Sequence, residues 1–329
     1  MRERSPGREG GILKRVVRLT LRAISGAIDL AMTAVLILLL AFGCYALWDS
    51  SQVYQSADPA RYEAYKPAEE DSLSFEELKS INSEVVAWLT VYGTGIDYPL
   101  VKAEDNDKYL DTDATGEHST SGSLFLDYRN AADFSDYNTI VYGHHMSGDA
   151  MFGDVGKFAD SGYFDEHRYG SLYSGGKEYG LEFFVFLETD AYDAVYSPAV
   201  TGTEAQSRYL DTLLSDAACR RNVGIDGTDR LILLSTCMTD ITNGRYLLVG
   251  RLLPEAPDDP FAAEEDEEEK EQKTVDGSPA WGDIVWSNVL QWPFFVWPLL
   301  ALIVLLSVLA VYNAARRRRG GRRKRTQRK

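Results

Sequence analysis

Three regimes of hydrophobic patterning divide the chain. Residues 30–48 read LAMTAVLILLLAFGCYALW, without a charge, and residues 290–315 are again uncharged around the core FFVWPLLALIVLLSVLAVYN. A helix needs about 20 apolar residues to cross a bilayer, and both stretches meet that length. Between them the rhythm changes. Phe75, Leu78, Ile81, Val85 and Trp88 or Leu89 recur at helical spacing, and Ser74 with Glu77 makes a capping-box pattern at the helix start. Asn82–Ser83 offers a break in that helix. From Trp88 the period shortens to two, and Gly93, Gly95 and Pro99 punctuate a strand–turn–strand up to 101. The same alternation predicts strands at 121–129, 138–145, 178–192, 229–237 and 243–253, with one later helix at 203–218. Short strands separated by Gly, Asn and Asp turns predict a mainly β body, a barrel or sandwich rather than an alternating α/β sheet.

Charge turns this pattern into a topology. The 329 residues carry a formal charge of −16, but residues 1–28 hold 7 Lys/Arg and 2 acids, and residues 314–329 hold 10 Lys/Arg and no acid. The stretch between them holds 17 basic against 48 acidic residues. Lys/Arg on the outer flanks, with Trp or Tyr near the edges, is the expected dress of spanning helices. The chain therefore divides into a basic segment 1–28, a span 29–48, a tether 49–73, a body 74–253, an acidic Pro-rich disordered tether 254–289, a second span 290–315 and a basic tail 316–329. The positive-inside rule places both termini in the cytoplasm and the body outside, in a two-pass arrangement. A cleaved signal peptide is the alternative reading of the first span, although no small-residue cleavage site follows it. The basic ends suit anionic membrane lipids. Beside a membrane span they are not read as a nucleic-acid arm.

Few residues are equipped for chemistry. Of three cysteines, Cys44 lies in the first span, leaving Cys219 and Cys237 in the body. Two cysteines do not make a disulfide scaffold, though a single Cys219–Cys237 bridge stays open. Cys237 closes the apolar run LILLSTC, where it is a packed thiol, half of that bridge, or a nucleophile. A nucleophilic thiol needs a base or a positive neighbour. His144 and His145, in YGHHMSG, supply candidates. Adjacent strand residues face opposite sides, so at most one of the two faces a given site, and both are alternatively ordinary turn histidines. His118 and His167 read as surface residues. Arg245 follows Cys237 by eight residues, and a hairpin would return it beside the thiol. There a guanidinium stabilises a thiolate or an oxyanion, the alternative being a solvent-facing arginine. Asp149 and Asp154 near the histidines lack zinc-ligand spacing, and no calcium loop, P-loop or Gly-x-Ser-x-Gly elbow is present. No metal or cofactor is predicted.

Taken in order, FEELKSINSEVVAWLTVYGTGIDYPLVKAEDNDKYL (75–110), GSLFLDYRN (122–130), NTIVYGHHMSGDAMFGDV (138–155), LILLSTC and GRYLLVGRL resemble the class B sortases. That resemblance covers nearly the whole body. It implies a closed eight-stranded β-barrel with amino-terminal helices and a helix before the cysteine-bearing strand, here flanked by two transmembrane helices. It implies a cysteine transpeptidase of the Gram-positive plasma membrane, with His144, Cys237 and Arg245 as catalytic residues and Ser235, Thr236 and His145 as groove candidates. Such an enzyme cleaves a carboxy-terminal sorting signal after Thr through a thioester. It transfers the secreted surface protein or pilin to an amine of the peptidoglycan precursor or to a pilin lysine. Three departures stand out: His145 replaces the Asn that commonly follows the catalytic histidine, the second span is more like pilus-assembling sortases, and the acidic tether at 254–280 has no counterpart in the family pattern. The rival readings are an extracellular cysteine peptidase without transfer, and a non-catalytic membrane-tethered assembly module.

Overall fold

Eight strands close into a ring. In chain order the strands are β1 (Val85–Val91), β2 (Asp97–Val101), β3 (Leu124–Leu126), β4 (Asn138–Tyr142), β5 (Tyr169–Ser174), β6 (Lys177–Asp190), β7 (Cys219–Arg220), β8 (Leu231–Cys237) and β9 (Gly244–Leu253). Their spatial order is β5-β1-β2-β3-β4-β8-β9-β6, and β6 pairs back onto β5 to close the barrel. The joints β2–β3 and β4–β8 are parallel and the rest antiparallel. The two-residue β7 adds only a short pairing, at Val185 and Phe186 of β6. The computed structural model describes residues 9–67, 73–146, 148–198, 200–238 and 241–262. The span expected at 290–315, the basic tail and the acidic tether beyond 262 lie outside the described residues.

Two hydrophobic clusters share the barrel wall, and strand alternation sorts residues between them. Val141, Ile232, Leu234, Leu248, Leu181 and Phe183 belong to the cluster that fills the barrel. Their chain neighbours Ile140, Leu231, Leu233, Leu247 and Val249 belong to a second cluster on the outer face, under Tyr209, Leu210 and Leu213 of α4 (Thr203–Ser215). A bulge between Phe183 and Val185 turns both Phe184 and Val185 to that outer cluster. An isolated 13-residue helix is marginal in water. Burial of those three α4 side chains, at about 1.5–3 kcal/mol for each large apolar group, is what holds it on the wall.

Several expectations shift. α2 (Leu73–Ile81) begins one residue before Ser74, so Ser74 is no cap, and its hydroxyl donates to the Lys66 carbonyl instead (3.0 Å). The helix ends at Ile81, the side-chain amide of the next residue, Asn82, donates to Tyr109 and to the Ala114 carbonyl, and β1 starts at Val85, inside the stretch read as helical. β5 went unread because RYGSLYS carries small polar residues in place of a hydrophobic alternation. The physical reason is close approach: a Cβ at Gly170 would collide with the Thr90 carbonyl. α3 (Ser161–Glu166) was also unread, although Asp160 caps it by accepting from the Gly162 and Tyr163 amides (3.0 Å each). The tether expected at 49–73 is largely built structure. α1 (Glu9–Ser56) continues through the apolar stretch to Ser56, and a 3-10 turn, Pro59–Tyr65, follows with Tyr62 buried. α1 is long and apolar enough to cross a membrane. Past β9 the chain stays on the barrel as far as Phe261, where its ring stacks on His167 (5.1 Å) and the Pro257 carbonyl accepts from the Tyr92 hydroxyl (3.3 Å). His167, read as a surface residue, is thereby buried, its other face against Tyr163.

Candidate active site

β4, β8 and β9 end or begin at one rim of the barrel, and the same alternation fixes what faces outward there. Along β4 the outer-face series is Ile140, Tyr142 and then His144. Along β8 it is Leu231, Leu233, Ser235 and Cys237. Along β9, read backwards, it is Val249, Leu247 and Arg245. Cys237 and Arg245 are direct cross-strand partners, a relation that sets Cβ atoms about 5 Å apart. The parallel β4–β8 pairing runs to Tyr142 opposite Ser235 and continues in the Gly143 amide, which donates to the Ser235 carbonyl (3.2 Å). His144, Cys237 and Arg245 all line one groove of about 460 Å³, with Ser235 and Thr236. Cys237 is exposed and unbonded, so neither the packed thiol nor the bridge to Cys219 is formed.

Hydrogen bonds set the state of these groups. Nε2 of His144 lies 2.8 Å from the Leu110 carbonyl. A carbonyl oxygen only accepts, so Nε2 carries the hydrogen and Nδ1 is left to exchange a proton. Arg245 donates through Nη1 to its neighbouring Gly244 carbonyl (2.9 Å), leaving other donors of the guanidinium for the groove. Ser235 shares a hydrogen bond with the Tyr196 hydroxyl (2.8 Å), and the Tyr196 ring stacks on Tyr142 (6.2 Å, 22°). Burial pushes the Tyr196 phenol up to about 12, against the Ser235 hydrogen bond and the Arg245 charge, which pull it down.

Behind this wall sits a buried carboxylate. Asp127 accepts from Arg129 Nε (2.8 Å) and Nη2 (2.7 Å), from the Asn106 amide (3.2 Å) and from the Tyr142 hydroxyl (3.1 Å). Burial alone raises its pKa, but the bonds from Arg129 and Asn106 outweigh that and hold it below the usual carboxylate value. Arg129 also donates to the Tyr196 carbonyl (3.2 Å), which ties the loop after β6 to the groove. Sequence reasoning missed Asn106, Leu110, Arg129, Tyr142 and Tyr196, all of them groove-lining. Only Tyr142 had a readable signal, since it shares the strand face of His144.

His145 is a correction. It lies outside this groove and lines a separate crevice with Met146 and α1. Its ring packs 6.3 Å from that of Tyr246, the β9 partner of Thr236. His145 Nδ1 and Thr236 Oγ1 are buried without a hydrogen-bond partner among the described residues. Thr236 thus borders the groove while its hydroxyl is withdrawn from it. Asp149 and Asp154 are bridged by Lys157 (2.8 and 2.7 Å).

An exposed thiol, an imidazole and a guanidinium on one barrel rim define a cysteine acyl-transfer enzyme. Known proteins agree. Sortase B of Listeria monocytogenes is 38% identical over 182 residues, covering 54% of this chain and 73% of that protein. Sortase B of Clostridium perfringens superposes with a TM-score of 0.52 at 33% identity, over 54% of this chain and 99% of that one. A Streptococcus pyogenes class B sortase involved in pilus biogenesis gives 0.50 at 35% identity, over 55% and 98%. No protein-family model matches the chain. The chain belongs to the class B sortases and is a cysteine transpeptidase.

Proposed function

We propose that this enzyme is a membrane-anchored transpeptidase that cleaves a carboxy-terminal sorting signal after Thr and passes the surface protein or pilin to an amine. Cys237 is the nucleophile, His144 the general acid and base, and Arg245 the oxyanion donor. The observation that carries this reading is the convergence of those three side chains on one outer face and one groove. In the first half-reaction the Cys237 thiolate forms a bond to the Thr carbonyl carbon. Arg245 donates to the oxygen as negative charge develops there. Imidazolium Nδ1 of His144 gives its proton to the departing amine as the C–N bond breaks, leaving a thioester. In the second, an incoming amine attacks the thioester and loses a proton to Nδ1. The C–S bond breaks and returns the thiolate.

The acceptor is the peptidoglycan precursor or a pilin lysine. The pilus-linked relative and the apolar stretch at 290–315 support the pilin alternative. α1 is the amino-terminal anchor, and the basic flanks of both apolar stretches support a two-pass topology with both termini cytoplasmic and the barrel outside. Intact-mass spectrometry tests the reading. Residues 50–262 are mixed with sorting-signal peptides, with and without triglycine, beside a Cys237→Ala control. An acyl adduct on the wild-type protein that passes to triglycine is the expected result. Cleavage with no amine product at saturating triglycine makes the protein a peptidase instead.

A further inference from the structure

α1 joins the apolar stretch and the barrel in one unbroken rod. Leu30, Leu38, Leu39 and Phe42 are exposed along it, as lipid-facing positions are. Where the apolar stretch gives way to Asp49 and Ser50, the rings of Tyr45 and Trp48 lie 6.1 Å apart, an aromatic pair of the kind found at membrane–water boundaries. The other end of the rod is fixed to the barrel. The Tyr98 hydroxyl donates to the Ala57 carbonyl (2.7 Å), and the Ser56 and Ser121 hydroxyls share a hydrogen bond (3.0 Å). Ala57 is buried, and Arg61 pairs with Asp113 (3.5 Å). At a rise of 1.5 Å per residue, Ser56 stands only about 12 Å beyond Trp48 along the rod.

A second feature lies beside the catalytic rim. A crevice of about 610 Å³ separates α1 from the loop after β4. Phe42, Tyr45, Ala46 and Asp49 line it on one side, His145 and Met146 on the other. The residue next to His144 therefore shares a crevice with the aromatic boundary of the rod. The Phe42 end of the crevice is continuous with the lipid-facing surface of α1, and Asp49, Ser50 and His145 give it polar groups.

We infer that α1 is a rigid stalk that holds the His145–Met146 segment, next in the chain to His144, on the outer leaflet, with a phospholipid in the crevice. Its acyl chain lies against Phe42, Tyr45 and Ala46, and its headgroup beside Asp49, Ser50 and His145. This deepens the membrane-anchored reading and rests on it. An acceptor held in the same leaflet then reaches the thioester by lateral diffusion.

The full-length chain in phosphatidylglycerol–phosphatidylcholine nanodiscs provides the test. A bimane is attached at Met146→Cys, in a background of Cys44→Ser, Cys219→Ser and Cys237→Ala, and quenched by lipids carrying a headgroup nitroxide. The reference is Lys177→Cys, at the β5–β6 turn, the opposite end of β6 from the rim. Quenching several-fold stronger at 146 than at 177 is expected, with the difference abolished by a six-residue Gly-Ser insert after Ser50. Equal quenching at both positions overturns the proposal, because the crevice then faces something other than lipid. A difference that survives the insert overturns the stalk. Triglycine transfer by the same insert in a chain with Cys237 intact is read separately. Its absence in the uninserted chain counts against the transpeptidase reading and leaves the placement standing.

Discussion

The two faces of the barrel wall at the rim are built from adjacent residues and behave as different environments. On the outer face, His144, Cys237 and Arg245 open into the groove, and the imidazole, the guanidinium and the nearby Ser235 hydroxyl each have a hydrogen-bond partner. One residue away along the chain, His145 packs on Tyr246, the cross-strand partner of the inward-facing Thr236, and His145 Nδ1 and Thr236 Oγ1 are buried without a partner among the described residues. Two histidines with identical chemistry thus meet different surroundings, because successive residues of an extended chain point about 180° apart. The difference teaches that at a strand end, position along the chain matters less than parity.

The largest effect that would test this contrast is at the thiol. Cys237→Ala is expected to abolish the acyl adduct and all transfer, and a residual adduct on intact-mass spectra would place the nucleophile elsewhere. His144→Ala is expected to lower kcat/KM for transfer by about 10²–10⁴-fold, the usual worth of a positioned acid–base group. The same change at His145 is expected to leave kcat/KM close to wild type. Comparable losses at both positions would break the two-face account.

Arg245→Lys keeps the charge but loses the planar fork of donors, and a fall in kcat of about 10²–10³-fold is expected, as for removal of an oxyanion donor. A rise in KM with kcat unchanged would make Arg245 a substrate-binding group only. Asp127→Asn sharpens the comparison from beneath the outer face. Losing one partner of a buried hydrogen-bonded pair costs about 1–3 kcal/mol. Because the folded pKa of Asp127 is depressed, its contribution is fully present above the unfolded value of about 3.9 and is lost as pH falls through the folded value. Denaturant curves should therefore separate wild type from Asp127→Asn at pH 7, begin to converge only below about pH 4, and meet once pH has fallen past the folded value. The smallest effect belongs to the inner face. Thr236→Val removes a hydroxyl that has no partner among the described residues, so Tm should hold or rise slightly, with transfer unaffected.

Much of the site was legible because strand alternation is a local property. LILLSTC, NGRYLLVG and NTIVYGHH each read as strands, and the hairpin from Cys237 to Arg245 followed from chain proximity. The partners of those residues were not legible. Leu110 reaches His144 from 34 positions away, and Arg129 reaches Tyr196 from 67 positions away. β5 escaped for a different reason. Its Gly and Ser residues suit close approach to β1, and close approach leaves no hydrophobic rhythm to read.

The sequence by itself determined the elements with strong periodicity, the apolar stretches with their basic flanks, and the three residue types that chemistry requires. Those are short-range consequences of side-chain size, polarity and spacing. Only the tertiary structure decided which histidine faces the thiol's groove, how Nε2 of His144 is engaged, and that the link from α1 to the barrel is a packed rod. Each depends on a contact between segments distant in the chain. No local pattern encodes such a contact, because its free energy exists only once the barrel has closed.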